Sequence, residues 1–193
     1  MTTLYLVRHA KPAATWGEDP DPGLDDLGRE QAAQTAAALA QREKPLPILT
    51  SPLRRCRETA LPLERLWNRS ADVFAPVAEI PAPLLGLAER HVWLQQAMAG
   101  TWTEMQAKAP PGSPDFLKWR ADVIANIRRL TEPTVIYTHF IAINVIVGAA
   151  RGSDAVVCFR PDHASVTIVN TDSETPRLVE LGREAVTTVL TRN

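Results

Sequence analysis

The sequence has few cysteines, and neither they nor its histidines have the spacing of metal ligands. Its 193 residues include two cysteines and four histidines. Cys56 and Cys158 lie far apart in the chain, which is typical of reduced thiols in a reducing compartment. The histidines are scattered, without the close pairs that bind zinc. The sequence therefore predicts no metal and no other bound cofactor.

The sequence also lacks an excess of either charge, a long basic run and a membrane-spanning apolar run. Its 21 Lys and Arg residues balance 22 Asp and Glu residues. This balance argues against a nucleic-acid or membrane-surface protein, although it allows a small local anion site. The longest apolar candidate, residues 140–150, is too short to cross a membrane and contains Asn144. Because a strand begins almost at the first residue, we expect no signal peptide and predict a cytoplasmic protein.

What remains is an ordinary soluble composition, with 45% apolar and 22% charged residues, in a length that suits one domain over residues 1–193. Strand and helix patterns alternate along the chain. This order predicts an α/β fold: a three-layer sandwich with a largely parallel central sheet flanked by helices. The predicted strands are 3–7, 46–50, 73–77, 134–138, 165–170 and 177–181, with 184–190 as a further candidate. The predicted helices are 27–42, 53–67, 115–130 and 140–150.

Residues 81–114 interrupt this alternation. The segment contains five prolines together with Trp93 and Trp102. An insertion of this composition often forms a lid or a pocket wall, so we predict a lid-like insertion here. A helical excursion packed on the core explains the same composition equally well.

Basic and imidazole side chains follow three of the predicted strands. Arg8 and His9 follow the first strand, Arg54 and Arg55 follow the second, and His139 follows the fourth. Carboxyl ends of parallel strands meet at one edge of a sheet, where α/β proteins bind ligands. Polar residues at one strand end need no function, but the same coincidence at three strand ends points to a phosphate site.

The chemistry of phosphoryl transfer suits these residue types. A transferring phosphoryl group spreads negative charge over three oxygens, and the planar fork of arginine matches them while staying charged. A histidine nucleophile must attack as neutral imidazole, so we expect a backbone carbonyl to hold the other ring nitrogen of His9. Helix N-terminal amides favour anions, which makes Phe140, directly after His139, a further candidate for phosphate or substrate binding.

Four sequence blocks resemble the histidine phosphatase superfamily, also called phosphoglycerate mutase-like. Residues 8–10 match the family's Arg-His-Gly, and residues 24–32 match its Leu-Thr-x-x-Gly-x-x-Gln-Ala. Residues 51–60 match Ser-Pro-Leu-x-Arg-Ala-x-x-Thr-Ala, and residues 138–139 match the family's strand-terminal Ser/Thr-His. The blocks occur in the family's order and span most of the chain. The resemblance implies the phosphoglycerate mutase-like fold.

The resemblance also implies roles for individual residues. His9 matches the nucleophile that becomes phosphohistidine, and Arg8 and Arg55 match the arginines that hold the phosphoryl oxygens. His139 matches the second histidine of the phosphate pocket. Arg54 occupies the variable position of its block, so Arg55 is the residue that we place in the site.

A carboxylic acid is needed to protonate an alkoxide leaving group. The family takes it from the segment after the third strand, where Glu79 matches best. Glu89 and Asp162 are the alternatives. The family's usual Glu-x-x-x-Gly-x-Trp-x-Gly stretch is not visible after Glu79, which sets the substrate pocket apart from the common pattern.

Two substitutions inside the matching blocks are expected to have mild effects. Ala10 replaces a glycine, which alanine can do wherever φ is negative. Asp25 replaces a threonine and affects only the capping of the following helix, whose predicted cap is Asp25 or Asp26.

Four further residues have weaker functional interpretations. His163 precedes a late strand and lies either at the pocket mouth or on the surface. His91 lies in the insertion and points either toward the substrate or to solvent. Arg57 and Arg90 either bind a second anionic group or belong to solvated helix faces.

The sequence therefore predicts a metal-independent phosphomonoester hydrolase that acts on a small phosphorylated metabolite through phosphohistidine. Its ligands would be a small phosphate ester or inorganic phosphate, with no nucleic acid or membrane partner. A mutase-type phosphoryl transferase is one alternative, although mutases carry longer insertions for sugar acids. A phospho-ligand-binding protein without turnover is the other. The physiological substrate and the oligomeric state stay open.

Overall fold

A computed structural model describes residues 2–14, 18–83 and 85–185 of the chain. The strands are β1 (Thr3–Arg8), β2 (Ile48–Thr50), β3 (Asp72–Val73), β4 (Thr134–Thr138), β5 (Val166–Asn170) and β6 (Arg177–Glu180). The helices are α1 (Asp26–Arg42), α2 (Arg54–Trp67), α3 (Leu87–Met98), α4 (Trp102–Ala107), α5 (Phe116–Ile127) and α6 (Phe140–Arg151). A 3₁₀ turn covers Ala75–Val77.

The strands form one six-stranded sheet in the order β3-β2-β4-β1-β5-β6. β1 and β2 both pair with β4 in parallel, and β3 pairs with β2 in parallel. β5 pairs with β1 and with β6 in antiparallel fashion. The predicted α/β fold with a largely parallel sheet is therefore confirmed, and the carboxyl ends of β1, β2 and β4 reach the same edge.

Both faces of the sheet are covered by helices, because successive side chains of a strand point to opposite faces. On one face, Leu4 and Leu6 of β1 belong to a buried core that includes residues of α3, α4, α5 and α6. On the other face, Tyr5 and Val7 belong to a second core formed with α1 and α2. β1 and β4 thus lie in the middle of the three layers, where packing on both faces fixes the position of their ends.

The third strand is much shorter than predicted. The expected strand 73–77 ends at Val73, and Ala75–Val77 turns as a 3₁₀ helix instead. The reason is Pro76, which has no amide N–H to donate to a strand ladder and whose fixed φ suits a helical turn. This turn delivers Glu79 to the carboxyl edge of the sheet.

The tail predicted as a further strand is described only at its start. Glu184 forms an isolated antiparallel bridge with Pro161. Residues 186–190 of the predicted strand lie outside the described residues.

Residues 81–114 contain the helices α3 and α4. Trp102 and Met105 of α4 and Leu94 of α3 are buried in the core. The helical alternative for this segment matches its structure, while movement as a lid stays a prediction. No helix in the described ranges is both long enough and apolar enough to cross a membrane.

Gly28 in the second sequence block fixes the loop that follows β1. A Cβ atom at this position would lie 2.1 Å from the carbonyl oxygen of Lys11, so only glycine permits this approach of α1 to the loop. Asp25 caps α1 by accepting a hydrogen bond from the Gly28 amide at 2.7 Å, which confirms one of the two predicted caps. Packing of this kind holds the residues after His9 in place.

Candidate active site

His9 follows β1 at the carboxyl edge of the sheet and is only 4% exposed. Its Nδ1 atom lies 2.9 Å from the backbone oxygen of Ala10, a contact of the type that the sequence predicts. A carbonyl oxygen only accepts, so Nδ1 carries the proton and Nε2 keeps its lone pair. Burial above all, and then the charges of His139, Arg8 and Arg55, lower the pKa of His9 well below 6.5. The imidazole is therefore neutral at physiological pH.

Ala10 is fully buried, and its backbone lies outside the left-handed region. Its amide donates to Thr59 Oγ1 at 3.0 Å. The replacement of the family's glycine thus introduces no backbone strain.

The guanidinium of Arg8 is held on two sides. Nη1 donates to the Pro161 carbonyl at 2.8 Å, and Nη2 donates to Nε2 of His163 at 3.0 Å. The group also lies over the ring of Phe140, 5.1 Å from its centroid. Burial lowers the pKa of Arg8 to about 10, partly opposed by Glu79, so the group stays charged at neutral pH. Nε is buried with no hydrogen-bond partner among the described residues, which suits an anionic ligand.

His139 follows β4, and its ring centroid lies 5.3 Å from that of His9. Nε2 lies 2.7 Å from the hydroxyl of Ser51, which also accepts from the Leu53 amide at 3.3 Å. Nδ1 lies 3.3 Å from Oε2 of Glu79. Nδ1 faces both the Glu79 carboxylate and, at 3.2 Å, the Arg55 guanidinium. When the Ser51 hydroxyl donates to Nε2, the proton of the neutral ring is on Nδ1 and faces Glu79. Burial lowers the pKa of His139 below 6.5 despite the opposing charge of Glu79.

Only one of the two adjacent arginines after β2 reaches the site. The side chain of Arg55 is 5% exposed, and its Nη2 atom lies 3.2 Å from Nδ1 of His139. The side chain of Arg54 is 65% exposed and pairs with Glu58 at 2.6 Å along α2. The predicted choice of Arg55 over Arg54 agrees with this geometry.

Glu79 is the carboxylate that the fold brings to these groups. Its side chain is 6% exposed, and Oε2 lies 3.6 Å from Nη2 of Arg55. The Ile80 amide donates to Oε1 at 3.2 Å. Burial would raise the pKa of Glu79, but His139, Arg55 and the Ile80 amide together lower it below 4.5. The free site therefore holds Glu79 as a carboxylate.

The two alternative acids have other contacts. Glu89 accepts from the Gly86 amide at 3.1 Å and caps α3. Asp162 accepts from the His163 amide at 2.8 Å and pairs with Arg183 at 3.0 Å. Neither is among the described residues that line the cavities around Glu79.

Three of these residues offer atoms that could ligate a cation. One ligand atom each of His9, Glu79 and His139 lies within 4.8 Å of the others. The guanidinium of Arg55 contacts two of these three residues, and Arg8 adds a second fixed positive charge. Two arginines beside the cluster favour an anion over a metal ion.

A cavity of about 620 Å³ opens from the site. Arg8, His9, Glu79 and His163 line it. The helices α3 and α6 add an apolar wall, formed by Leu94, Met98, Phe140 and Ile141. Other segments contribute charged residues to the lining, among them Lys11, Glu18, Asp25 and Arg160. A smaller cavity of about 210 Å³ also borders Glu79 and is lined by Arg55 and Arg90.

The residues with weaker interpretations divide between the site and its surroundings. His163 is half-buried, and its ring centroid lies 5.8 Å from that of His9. His91 lines the larger cavity and contacts Gln95 at 3.0 Å. Arg90 lies beside Arg55 in the smaller cavity, whereas Arg57 lines a separate pocket.

Three features of the site were not predicted from the sequence, namely the contacts of Ser51 and Cys56 with His139 and that of His163 with Arg8. Cys56 is fully buried, with Sγ 3.4 Å from Nε2 of His139, and burial raises the pKa of its thiol. Ser51 was visible as the first residue of a matching block. The antiparallel pairing of β5 with β1 brings His163 beside Arg8, and that pairing leaves no signal in the order of the elements.

Two curated phosphatases are similar to this chain in sequence. The chain is 29% identical over 130 residues to a metal-independent phosphoserine phosphatase of Arabidopsis thaliana. The aligned segment covers 64% of this chain and 49% of that protein. It is 37% identical over 123 residues to a glucosyl-3-phosphoglycerate phosphatase of Mycolicibacterium vanbaalenii, covering 62% and 48%. The chain thus spans about half the length of these curated relatives.

Solved structures share the whole fold. The native structure of a mycobacterial glucosyl-3-phosphoglycerate phosphatase superposes with a TM-score of 0.74 at 22% identity and covers 96% of this chain and 100% of that one. A complex of that phosphatase with inorganic phosphate gives a TM-score of 0.71 at 22% identity, covering 95% and 98%. The family model for the histidine phosphatase superfamily, branch 1, matches residues 4–184, and the chain belongs to this superfamily.

Proposed function

We propose that the chain is a metal-independent phosphomonoesterase that passes the phosphoryl group through His9. The observation that carries this proposal is a neutral imidazole with Nδ1 fixed by a carbonyl, set among Arg8, Arg55 and His139. A nucleophile with a free Nε2 and fixed donors around it is what phosphoryl transfer requires.

In the first step, Nε2 of His9 attacks phosphorus. The P–N bond forms as the ester P–O bond breaks, and the electron pair of that bond leaves with the alcohol oxygen. Glu79 supplies the proton that this oxygen needs.

In the second step, water attacks the phosphohistidine. Glu79, now a carboxylate, accepts a proton from the water as the P–O bond forms and the P–N bond breaks. Inorganic phosphate leaves, and the neutral imidazole of His9 is regenerated.

Two arginines and one neutral histidine stabilise charge throughout both steps. Arg8 and Arg55 hold the phosphoryl oxygens, and His139 donates from Nδ1, the atom that faces Glu79 in the free site. The low pKa of Glu79 in the free site depends on His139 and Arg55. A bound phosphate dianion engages both of these groups and places negative charge beside Glu79. This raises the pKa of Glu79, so that the carboxylate takes up a proton from solvent as the substrate binds and then acts as the acid.

The substrate side of the cavity supports a small metabolite. A volume of about 620 Å³ holds a phosphate and an alcohol of moderate size. Both curated relatives are named for phosphate esters of small molecules, and one is named as metal-independent. The two free cysteines support a reducing, cytoplasmic location.

The test is hydrolysis of 4-nitrophenyl phosphate in the presence of EDTA. We expect the wild-type chain to release phosphate, to be insensitive to EDTA, and to form an acid-labile, base-stable phosphoenzyme during turnover. His9→Ala should abolish both turnover and the phosphoenzyme. Turnover that survives His9→Ala would overturn the nucleophile. Phosphate exchange without release would indicate a transferase, and phosphate binding without turnover would indicate a binding protein.

A further inference from the structure

The turn at residues 161–165, directly before β5, is hydrogen-bonded to the backbone of Arg8. The Arg8 amide donates to the Ser165 carbonyl at 3.1 Å, and the Ala164 amide donates to the Arg8 carbonyl at 3.1 Å. Thr35 of α1 fixes the turn from outside by donating to the Ala164 carbonyl at 2.7 Å. The turn therefore cannot shift without moving Arg8.

His163 lies inside this turn and contacts the guanidinium of Arg8. Nη2 of Arg8 lies 3.0 Å from Nε2 of His163. A guanidinium only donates, so Nε2 accepts and the ring is neutral, with its proton on Nδ1. Burial, and then the charge of Arg8, lower the pKa of His163 to about 4, which agrees with this assignment.

The backbone after His163 adopts a sparsely populated conformation. Ala164 has a φ of 54°, and Ser165 donates to the Asp162 carbonyl at 3.2 Å to close the turn. This position of the turn favours glycine or asparagine, so alanine here is strained. Strain of this kind persists where surrounding contacts fix it, here the hydrogen bonds of Ala164 and Ser165 to the backbone of Arg8.

Arg8 depends on the turn for its orientation. Within the described chain, Nη1 of Arg8 donates to Pro161 and Nη2 donates to His163, and both acceptors belong to the turn. Its Nε remains buried without a partner in that same part of the chain. The two contacts therefore determine where the remaining donors of Arg8 point.

We propose that His163 is a positioning residue that fixes the guanidinium of Arg8 in the phosphate pocket through its Nε2 atom. This inference rests on the proposed function, since it assigns His163 a part in the same pocket. His163 acts through Arg8 and not on the reacting atoms, so its effect should vanish when Arg8 is absent.

A double-mutant cycle tests this coupling. Binding of inorganic phosphate is measured by calorimetry for the wild type, His163→Ala, Arg8→Met and the double variant, and kcat/KM is measured alongside. We expect His163→Ala to weaken phosphate binding about tenfold in the wild-type background and less than about twofold in the Arg8→Met background. His163→Gln should recover most of the loss, because its side-chain oxygen can accept from Arg8.

The matched control is His91→Ala, which removes a histidine of the same cavity that does not contact Arg8. Its effect should be the same in both backgrounds. Equal losses from His163→Ala in the two backgrounds would overturn the proposal, as would equal losses for His163→Ala and His163→Gln. Thermal unfolding of each variant checks folding, and His163→Leu replaces His163→Ala if the latter is unfolded.

The cycle separates this inference from the proposed function. Phosphate binding with the expected coupling, but no hydrolysis of any ester, would overturn the function and support the role of His163. Hydrolysis without coupling between His163 and Arg8 would support the proposed function and overturn the role of His163.

Discussion

The phosphate end of the site, formed by His9, His139 and Arg55, and the wall of the larger cavity from α3 are built in different ways. At the phosphate end, His9 and His139 directly follow central strands and are buried, and Arg55 lies in the first turn of a helix that follows β2. In the wall from α3, Met98 is half-buried and His91 is exposed. The first region is fixed by the sheet, and the second is formed by a helix at the surface.

The proposed function divides two tasks between these regions. Fixed charged groups at the sheet edge would bind the phosphoryl group, which every phosphomonoester shares. The apolar surface from α3 and α6 would contact the part that differs between esters. Changes at the phosphate end should therefore affect all substrates, whereas changes on α3 should discriminate between them.

Among variants that keep the His9 nucleophile, the largest effect is expected at Arg55. Arg55→Met should lower kcat/KM about 10²- to 10³-fold for every phosphate ester, because it removes a buried charge that faces the phosphoryl oxygens. Steady-state kinetics with aryl and alkyl phosphates measure this. Arg54→Met is the matched control and should change kcat/KM by less than about twofold, since Arg54 points to solvent. Similar losses for the two variants would contradict the assignment.

Glu79→Gln should have an effect that depends on the leaving group. Alkyl phosphates need a proton on the departing oxygen, so their kcat should fall about 10²-fold. Aryl phosphates have good leaving groups and should lose less than about tenfold. The comparison of glycerol phosphate with 4-nitrophenyl phosphate measures the ratio, and an equal loss on both would exclude Glu79 as the acid.

A charge on the α3 wall should change selectivity alone. Met98→Asp places a carboxylate on the apolar surface and should raise the KM of naphthyl phosphate about fivefold. Its affinity for inorganic phosphate should stay within about twofold, because the phosphate end is unchanged. Calorimetry with phosphate and kinetics with the aryl ester measure the two values, and a parallel loss in both would mean that the two regions are not separate.

The smallest effect is expected from pH near neutrality. Burial lowers the pKa values of His9 and His139 below 6.5, so both stay neutral under conditions that protonate an ordinary histidine. After correction for the second ionisation of the ester, at about pH 6, kcat/KM for an aryl phosphate should show no acidic limb from His9 between about pH 6 and 7.5. An acidic limb centred at or above pH 6.5 would contradict this.

The same shifts affect stability with a defined sign. In the unfolded chain these histidines titrate near 6.5, above their folded pKa values, so the unfolded state binds more protons below that pH. Their contribution to the free energy of unfolding is complete above pH 6.5 and declines as the pH falls below it. Denaturant titrations at several pH values measure this decline.

Sequence reasoning grouped His9, His139 and Arg55 before the structure did, because the signals for these residues are local. An apolar run followed by a histidine identifies both β1 with His9 and β4 with His139, and parallel pairing then brings the two together. The same logic, with a matching sequence block, selected Arg55. The fold class followed from the alternation of elements for the same reason.

The remaining features depend on contacts between distant segments. Pro76 shortens β3 through a local rule, but the position of Glu79 depends on how the following turn packs. His163 approaches Arg8 only because β5 pairs antiparallel with β1. The composition of residues 81–114 indicated an insertion that forms a lid or a pocket wall, but proline and tryptophan content does not give the direction of its side chains.

The buried thiol of Cys56 is an internal probe of local opening next to His139. Sγ packs against His139 and the Thr138 carbonyl, and burial keeps the sulfur protonated and away from solvent. A thiol reagent can modify Cys56 only when the contact between α2 and the end of β4 opens, whereas the partly exposed Cys158 can react from the native state. The slower labelling phase, that of Cys56, therefore reports the rate at which the structure around His139 opens. Ligands that occupy the pocket should slow the labelling of Cys56 and leave that of Cys158 unchanged.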